Sequence, residues 1–207
     1  MSIEAVVFDI GRVLIHWDPE GFYDRVIGQD RRRALFAEVD LERMNLRVDL
    51  GDPFQGSVYR LADENPLYRD EIRHWHDRWI DMASPAIPAS VTLLRALKAR
   101  GIPVFALSNF GRETFEIACE HYPFLTEFDR TFISAHHRMA KPDPAFYALL
   151  ETDSGLSGAS LFFTDDKPEN IAAAKDRGWA THLFNGPEGL ARALVAHNLL
   201  TEEEAII

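Results

Sequence analysis

The stretch Leu161-Phe162-Phe163-Thr164-Asp165-Asp166-Lys167-Pro168-Glu169-Asn170-Ile171 decides the architecture. Leu161 to Thr164 is a short, β-prone run, and Pro168 suits the first turn of a helix, where its missing N–H costs nothing. That helix carries Ile171 and Ala174 and ends at Gly178, a residue suited to a helix C-terminus. Working outward, the same unit recurs. Thr181 to Phe184 follows it as a weaker strand. Before it come Thr131 to Ser134 and a helix opened by Asp143-Pro144 with Phe146, Leu149 and Leu150 inside. Earlier still, a helix from Pro88 to Gly101, with Val91, Leu94 and Leu97 on one face, precedes the strand Ile102 to Leu107. Ile3 to Phe8 is the first strand. Strands this short and continuously apolar suit burial on both faces, and their alternation with helices implies right-handed βαβ crossovers. The expectation is a doubly wound α/β fold around a parallel sheet.

Residues 16–84 break the rhythm. The interval is polar, leans towards helix and lacks a convincing strand. A structureless loop of that length is improbable in a compact domain, so it reads as an inserted helical domain. The expected division is a core of 1–15 and 85–207 and a helical cap of 16–84.

Composition narrows the function. The 207 residues carry 22 lysines and arginines against 33 acidic residues, a formal charge of −11. Such a balance argues against nucleic-acid partners, whose phosphates need basic side chains. With 46% hydrophobic and 27% charged residues the chain reads as globular. Cys119 is the single cysteine, which excludes an internal disulfide and CxxC metal or redox motifs. Neither a basic n-region leading into an apolar stretch nor a run of about 18 apolar residues is visible, so the expectation is a cytoplasmic protein without a membrane partner.

Four polar segments follow strands: Asp9-Ile10-Gly11, Ser108-Asn109, Lys141 in Ala140-Lys141-Pro142-Asp143, and Asp165-Asp166. In open α/β sheets ligands bind outside the carboxyl ends of strands, so these segments can converge. Three carboxylates brought together repel one another, by roughly 4 kcal/mol per pair at 4 Å and an effective dielectric near 20. A hard divalent cation resolves the clash, and Mg²⁺ accepts one or two carboxylates with phosphate oxygens. Asp9 could then attack an electrophilic phosphorus, with Ser108 and Lys141 stabilising the transferred group.

Taken in order, the Asp-x-Gly-x-Val-Leu at Asp9, Leu107-Ser108-Asn109, Lys141-Pro142-Asp143-Pro144 and Phe162-Phe163-Thr164-Asp165-Asp166-Lys167-Pro168-Glu169-Asn170-Ile171 resemble the haloacid dehalogenase-like hydrolases. The resemblance implies Asp9 as nucleophile and metal ligand, the Gly11 carbonyl as a second ligand, and Asp165 and Asp166 completing a Mg²⁺ site. It implies phosphoryl binding by Ser108, Asn109 and Lys141, with Asn109 and Asn170 as supports. One departure stands out. Phosphatases of this family usually carry a second aspartate, the general acid and base, where this chain has Gly11. Losing positioned acid catalysis typically costs about 10²- to 10⁴-fold. A sugar 1-phosphate, with its more acidic leaving oxygen, therefore ranks above an ordinary alkyl phosphate. His16 and Asp18 are candidate substitute acids, although hinge or surface placement is favoured for both.

The functional expectation is a Mg²⁺-dependent phosphohydrolase acting on a small phosphate monoester through an aspartyl-phosphate. The alternatives are a metal-independent 2-haloacid dehalogenase using Asp9 and a catalytically weak phosphoryl-binding protein. A receiver-like switch fits less well, because its acidic pair would follow the first strand. Ser108 and Asn109 also suit the N-cap of the next helix. Ile72, Trp75, Trp79 and Met82 recur at helical spacing, which favours packing over aromatic stacking on a sugar. Arg31-Arg32-Arg33 reads as a solvated face rather than an anion clamp, and Cys119 as a small hydrophobe. His74-x-His76 and His136-His137 lack the spacing of a zinc site.

Overall fold

The structure, a computed structural model, describes residues 2–207; Met1, the first residue of the expected core, lies outside the described residues. Strand β1 (Ala5–Phe8) leads into six helices: α1 (Pro19–Ile27), α2 (Gln29–Glu38), α3 (Leu41–Asp49), α4 (Phe54–Glu64), α5 (Arg69–Asp77) and α6 (Trp79–Met82). The alternating part follows as α7 (Pro88–Ala99), β2 (Val104–Ser108), α8 (Arg112–His121), β3 (Arg130–Ile133), α9 (Ser134–His137), α10 (Pro144–Ser154), β4 (Leu161–Asp165), α11 (Pro168–Asp176), β5 (Ala180–Leu183) and α12 (Pro187–Ala196).

All five strands pair in parallel in the order β3-β2-β1-β4-β5. The two-residue period of a strand divides its side chains between two cores. Val6, Phe8, Val104, Ala106 and Phe162 point into the core shared with the helical insertion. Ala5, Val7, Phe105, Leu107, Leu161 and Phe163 point into the other, against Phe146, Tyr147, Leu150 and Trp179. Burial on both faces holds for β1, β2 and β4 and fails at the edges. The first two residues of β3 are exposed, and β5 is only partly covered. Each edge strand has a neighbour on one side only, so less of it is shielded from solvent.

Between Pro19 and Met82 the chain forms helices and no strand, each burying one stripe. Leu41, Met44 and Val48 face inward from α3, and Phe54, Val58 and Ala62 from α4. The two linkers to this insertion run side by side. Ile15 bridges antiparallel to Ala86, the His16 amide donates to the Pro85 carbonyl at 2.9 Å, and the Ile87 amide to that of Leu14 at 2.8 Å.

Candidate active site

Strand order explains how residues distant in sequence meet. β1 lies between β2 and β4, so Asp9, Ser108 and Asp165 emerge side by side at the carboxyl edge of the sheet. The Asp9 amide donates to the Thr164 carbonyl at 3.0 Å, which holds the first residue after β1 to β4. The Asp9 side chain is almost wholly buried, and its Oδ1 accepts three hydrogen bonds. They come from the Ile10 amide at 2.7 Å, Ser108 Oγ at 2.7 Å and Lys141 Nζ at 2.9 Å. None of these donors is directed at Oδ2, which leaves one oxygen of a rigidly held carboxylate for chemistry.

Lys141 reaches the same point from the loop before α10. Its side chain is 1% exposed, and its ammonium bridges Asp9 and Asp165 Oδ2, the latter at 2.6 Å. The Asn109 side chain fixes the lysine's main chain in both directions, accepting from the Lys141 amide at 2.8 Å and donating to its carbonyl at 2.9 Å. With its carboxamide spent in this way, Asn109 borders the cleft as a support for Lys141. Neither it nor Ser108 caps α8, whose N-cap is Gly111 without a side-chain hydrogen bond. Asp143 does cap α10, accepting from the Ala145 amide at 2.9 Å.

The acidic pair after β4 divides. Asp165 is fully buried and saturated with donors: the Lys167 amide at 2.8 Å, Asn170 Nδ2 at 3.0 Å to each oxygen, and Lys141. Asp166 is only half-buried and borders the cleft together with Asp9 and Gly11, whereas Asp165 does not reach its surface. One carboxylate oxygen from each of Asp9, Asp165 and Asp166 still lies within 4.8 Å of the others. An oxygen-only donor set of this kind fits a hard cation such as Mg²⁺ and lacks the nitrogen and sulfur ligands that zinc prefers.

Charge in the site is finely balanced. Burial, with Asp165 nearby, pushes Asp9 up to about 6, against the pull of Lys141 and the Ser108 hydrogen bond. Burial works against the Lys141 ammonium, yet the flanking Asp9 and Asp165 hold its pKa above the ordinary lysine value. Burial and Asp165 also raise Asp166, which Arg12 Nη1 approaches at 3.7 Å. Repulsion among the carboxylates is therefore relieved in part by the protein's own ammonium, a relief that the sequence reading assigned to an external cation alone.

Above these groups opens a cleft of about 630 Å³ between the strand ends and the insertion. Trp17, Phe36, Trp75, Trp79 and Phe110 build its aromatic wall. Trp17 lies 5.9 Å from Trp75 and 6.0 Å from Trp79, and Trp79 lies 5.6 Å from Phe110, in edge-on or tilted arrangements typical of packed rings. Trp75 and Trp79 are thus packed and buried, and still border the cleft. Arg31 and Arg32 do not border the cleft. Arg31 pairs with Glu71 at 2.7 Å, and Arg32 with Asp24 at 2.8 Å and Glu20 at 3.0 Å. His16 is exposed, and Asp18 caps α1 by accepting from the Gly21 amide at 2.9 Å; neither lines the cleft. Sequence reasoning passed over Arg12, Trp17, Phe110 and Asp49, which do. Arg12 alone left a signal, as the residue after Gly11 in the turn, where it adopts a positive φ of 59°.

The comparisons agree with this geometry. A family model described as haloacid dehalogenase-like hydrolase matches residues 3–178. The chain is 26% identical over 191 residues to the sesquiterpene phosphatase astK of Aspergillus oryzae, covering 86% of this chain and 87% of that protein. Among solved structures it is similar to the HAD family enzyme bt-2542 of Bacteroides thetaiotaomicron, at 25% identity and a TM-score of 0.64 over 90% of this chain and 95% of that one. It also shares its fold with the L-2-haloacid dehalogenase of Xanthobacter autotrophicus, at 21% identity and a TM-score of 0.61 over 96% and 84% of the two chains. With a parallel sheet, a helical insertion after β1 and an aspartate at the end of that strand, the chain belongs to the haloacid dehalogenase-like hydrolases.

Proposed function

We propose that this hydrolase is a Mg²⁺-dependent phosphatase that cleaves a small phosphate monoester through an aspartyl-phosphate on Asp9. The observation that carries the reading is the asymmetry of Asp9. Three donors hold Oδ1, while Oδ2 is without one beside a cleft large enough for an ester. Asp9, the Gly11 carbonyl and Asp166 would hold the cation, with Asp165 behind them keeping Lys141 and Asn170 in place. When bound, Mg²⁺ supplies positive charge to the phosphoryl oxygens. Ser108 and Lys141 donate to the same group, in a site where fixed donors need no reorganisation. Asp9 Oδ2 forms its bond to phosphorus as the ester oxygen leaves, and water then cleaves the acyl phosphate. The helical insertion excludes solvent and selects the alcohol.

Two relatives support the phosphoryl assignment. One is the sesquiterpene phosphatase, and the other is the Bacteroides enzyme, which has been seen in complex with magnesium and inorganic phosphate. The aromatic wall fits an alcohol with an apolar face, as a sugar ring or an isoprenoid chain presents. One observation favours the dehalogenase alternative: Lys141 already neutralises part of the acidic site, which a metal-free enzyme would require. Phosphate release from a panel of sugar 1-phosphates, prenyl phosphates and alkyl phosphates, with Mg²⁺ and with chelator, decides between them. We expect release that requires both Mg²⁺ and Asp9, lost in Asp9→Asn. Halide release from 2-haloacids in the presence of chelator would overturn the proposal.

A further inference from the structure

Resting on the phosphatase reading, we propose that Asp49, at the end of α3 in the helical insertion, is the general acid and base that Gly11 leaves missing. A side chain on Gly11 would meet no atom within 4 Å, so the acid is absent from that position although there is room for it. Asp49 borders the same cleft from the opposite wall. Other acidic side chains there are engaged or out in solvent. Asp40 caps α3 through the Arg43 amide at 2.9 Å, Glu20 pairs with Arg32, and Glu42 is exposed.

The end of α3 is tied to the core, which gives Asp49 a defined place above the strand ends. Ser134 Oγ donates to the Asp49 carbonyl at 2.6 Å, and the same hydroxyl accepts from the Phe110 amide at 2.9 Å. A Cβ on Gly111 would lie 2.6 Å from Val48 Cγ1, so the glycine is what lets α3 approach the loop after β2. The carboxylate itself is oriented by a relay. Asn45 Nδ2 donates to Asp49 Oδ2 at 3.0 Å, and Asn45 Oδ1 accepts from Trp75 Nε1 at 3.1 Å. Surrounding protein raises the Asp49 pKa to about 7, with the Asp9 charge adding to the rise and Lys167 and the Gly111 amide opposing it. A carboxyl poised near neutrality can both give and take a proton.

In the first step the Asp49 carboxyl gives its proton to the leaving oxygen as the P–O bond breaks and the Asp9–phosphorus bond forms. In the second, the Asp49 carboxylate takes a proton from the water that attacks phosphorus. Phosphate departs, Asp9 is regenerated and Asp49 is again protonated.

The test compares leaving groups. The first step is read at saturating Mg²⁺ as the pre-steady-state release of the alcohol. Asp49→Asn should slow it about 10²- to 10⁴-fold on alkyl phosphates and no more than about threefold on 4-nitrophenyl phosphate, whose leaving group needs no proton. The later hydrolysis of the aspartyl-phosphate should slow to the same extent for both esters. Asn45→Ala should show the same dependence in weaker form, and it serves if Asp49→Asn does not fold. In the metal-free protein, a ¹³C-carboxyl resonance missing from Asp49→Asn should titrate well above the ordinary aspartate range. Equal losses on both ester classes in the first step, or no loss there on alkyl esters, would overturn the assignment of Asp49. If the wild type releases no phosphate from any ester, or Asp9→Asn is unimpaired, the phosphatase reading fails first and takes this role with it.

Discussion

Lys141 and Arg43 both border the cleft, from opposite sides, and are held in opposite ways. Lys141 stands at the strand ends with its ammonium between two carboxylates, its main chain clamped by Asn109 and almost no surface open to solvent. Arg43 stands on α3 with its side chain exposed. The contrast extends to their neighbours. Asp9, Ser108, Asp165 and Asn170 are buried and hydrogen-bonded to one another's segments, whereas Asp40, Glu42 and Glu20 across the cleft are exposed. The groups placed to meet phosphorus need fixed geometry, and they stand where the backbone is already held by the sheet. Recognition of the rest of a substrate tolerates a softer wall, and the exposed face of the helices outside the sheet supplies one.

The largest effect expected from this contrast is at Asp9. Asp9→Asn should lower phosphate release roughly 10⁴-fold or more, to the same extent on every ester, as loss of a nucleophile does. Lys141→Met comes next and acts twice. It removes a donor to the phosphoryl group, for about 10²- to 10³-fold in kcat, and it leaves two buried carboxylates uncompensated, for about 3–5 kcal/mol of stability in urea unfolding. Arg43→Ala should by comparison stay within about 0.5 kcal/mol of wild type. If the two unfold alike, the division between a rigid and a soft wall is wrong.

Two smaller effects sharpen the comparison. Burial lifts Asp9 from 3.8 to about 6, so between those values the folded state keeps a proton that the unfolded chain has lost. The stability Asp9 contributes therefore falls as pH rises through that window in the absence of metal. Because a cation competes with that proton, added Mg²⁺ should raise Tm more at pH 8 than at pH 5. A Tm indifferent to Mg²⁺ at both values would speak for metal-free chemistry. On the soft side, Trp17→Leu should reduce kcat/KM roughly tenfold for esters with large apolar alcohols and little for the smallest ester, in keeping with about 1–3 kcal/mol per apolar contact. A uniform loss would place Trp17 in the packing of the insertion instead.

Much of the core was legible because strand and helix leave periodic marks. The expected strand Leu161 to Thr164 differs from β4 by one residue, and the helix opened by Pro168 begins there. The expected first strand begins two residues before β1, since Ile3 and Glu4 precede the ladder. The edges were less legible, because the weaker pattern of β5 does not say where a strand sits in the sheet, and only pairing puts it at the edge. In the site, the residues at strand ends stood out by type and place. Asp165 and Asp166 looked equivalent as neighbours in sequence, and only the fold turns one inward against Lys141 and the other towards the cleft. Asp49 gave no sign at all, as one of many acidic residues in the polar interval 16–84.

Local order thus followed from the chain's own pattern: apolar runs that must be buried, prolines and glycines that begin and end helices, and short polar segments where strands stop. Those are properties of a few neighbouring residues and survive without knowledge of the rest. Which oxygen of Asp9 is held, why Lys141 carries its charge in a buried place, and what the helices bring across the cleft all depend on contacts between segments tens of residues apart. Distances and local shielding set hydrogen bonds and pKa values, and only the packed chain brings those groups within reach of one another.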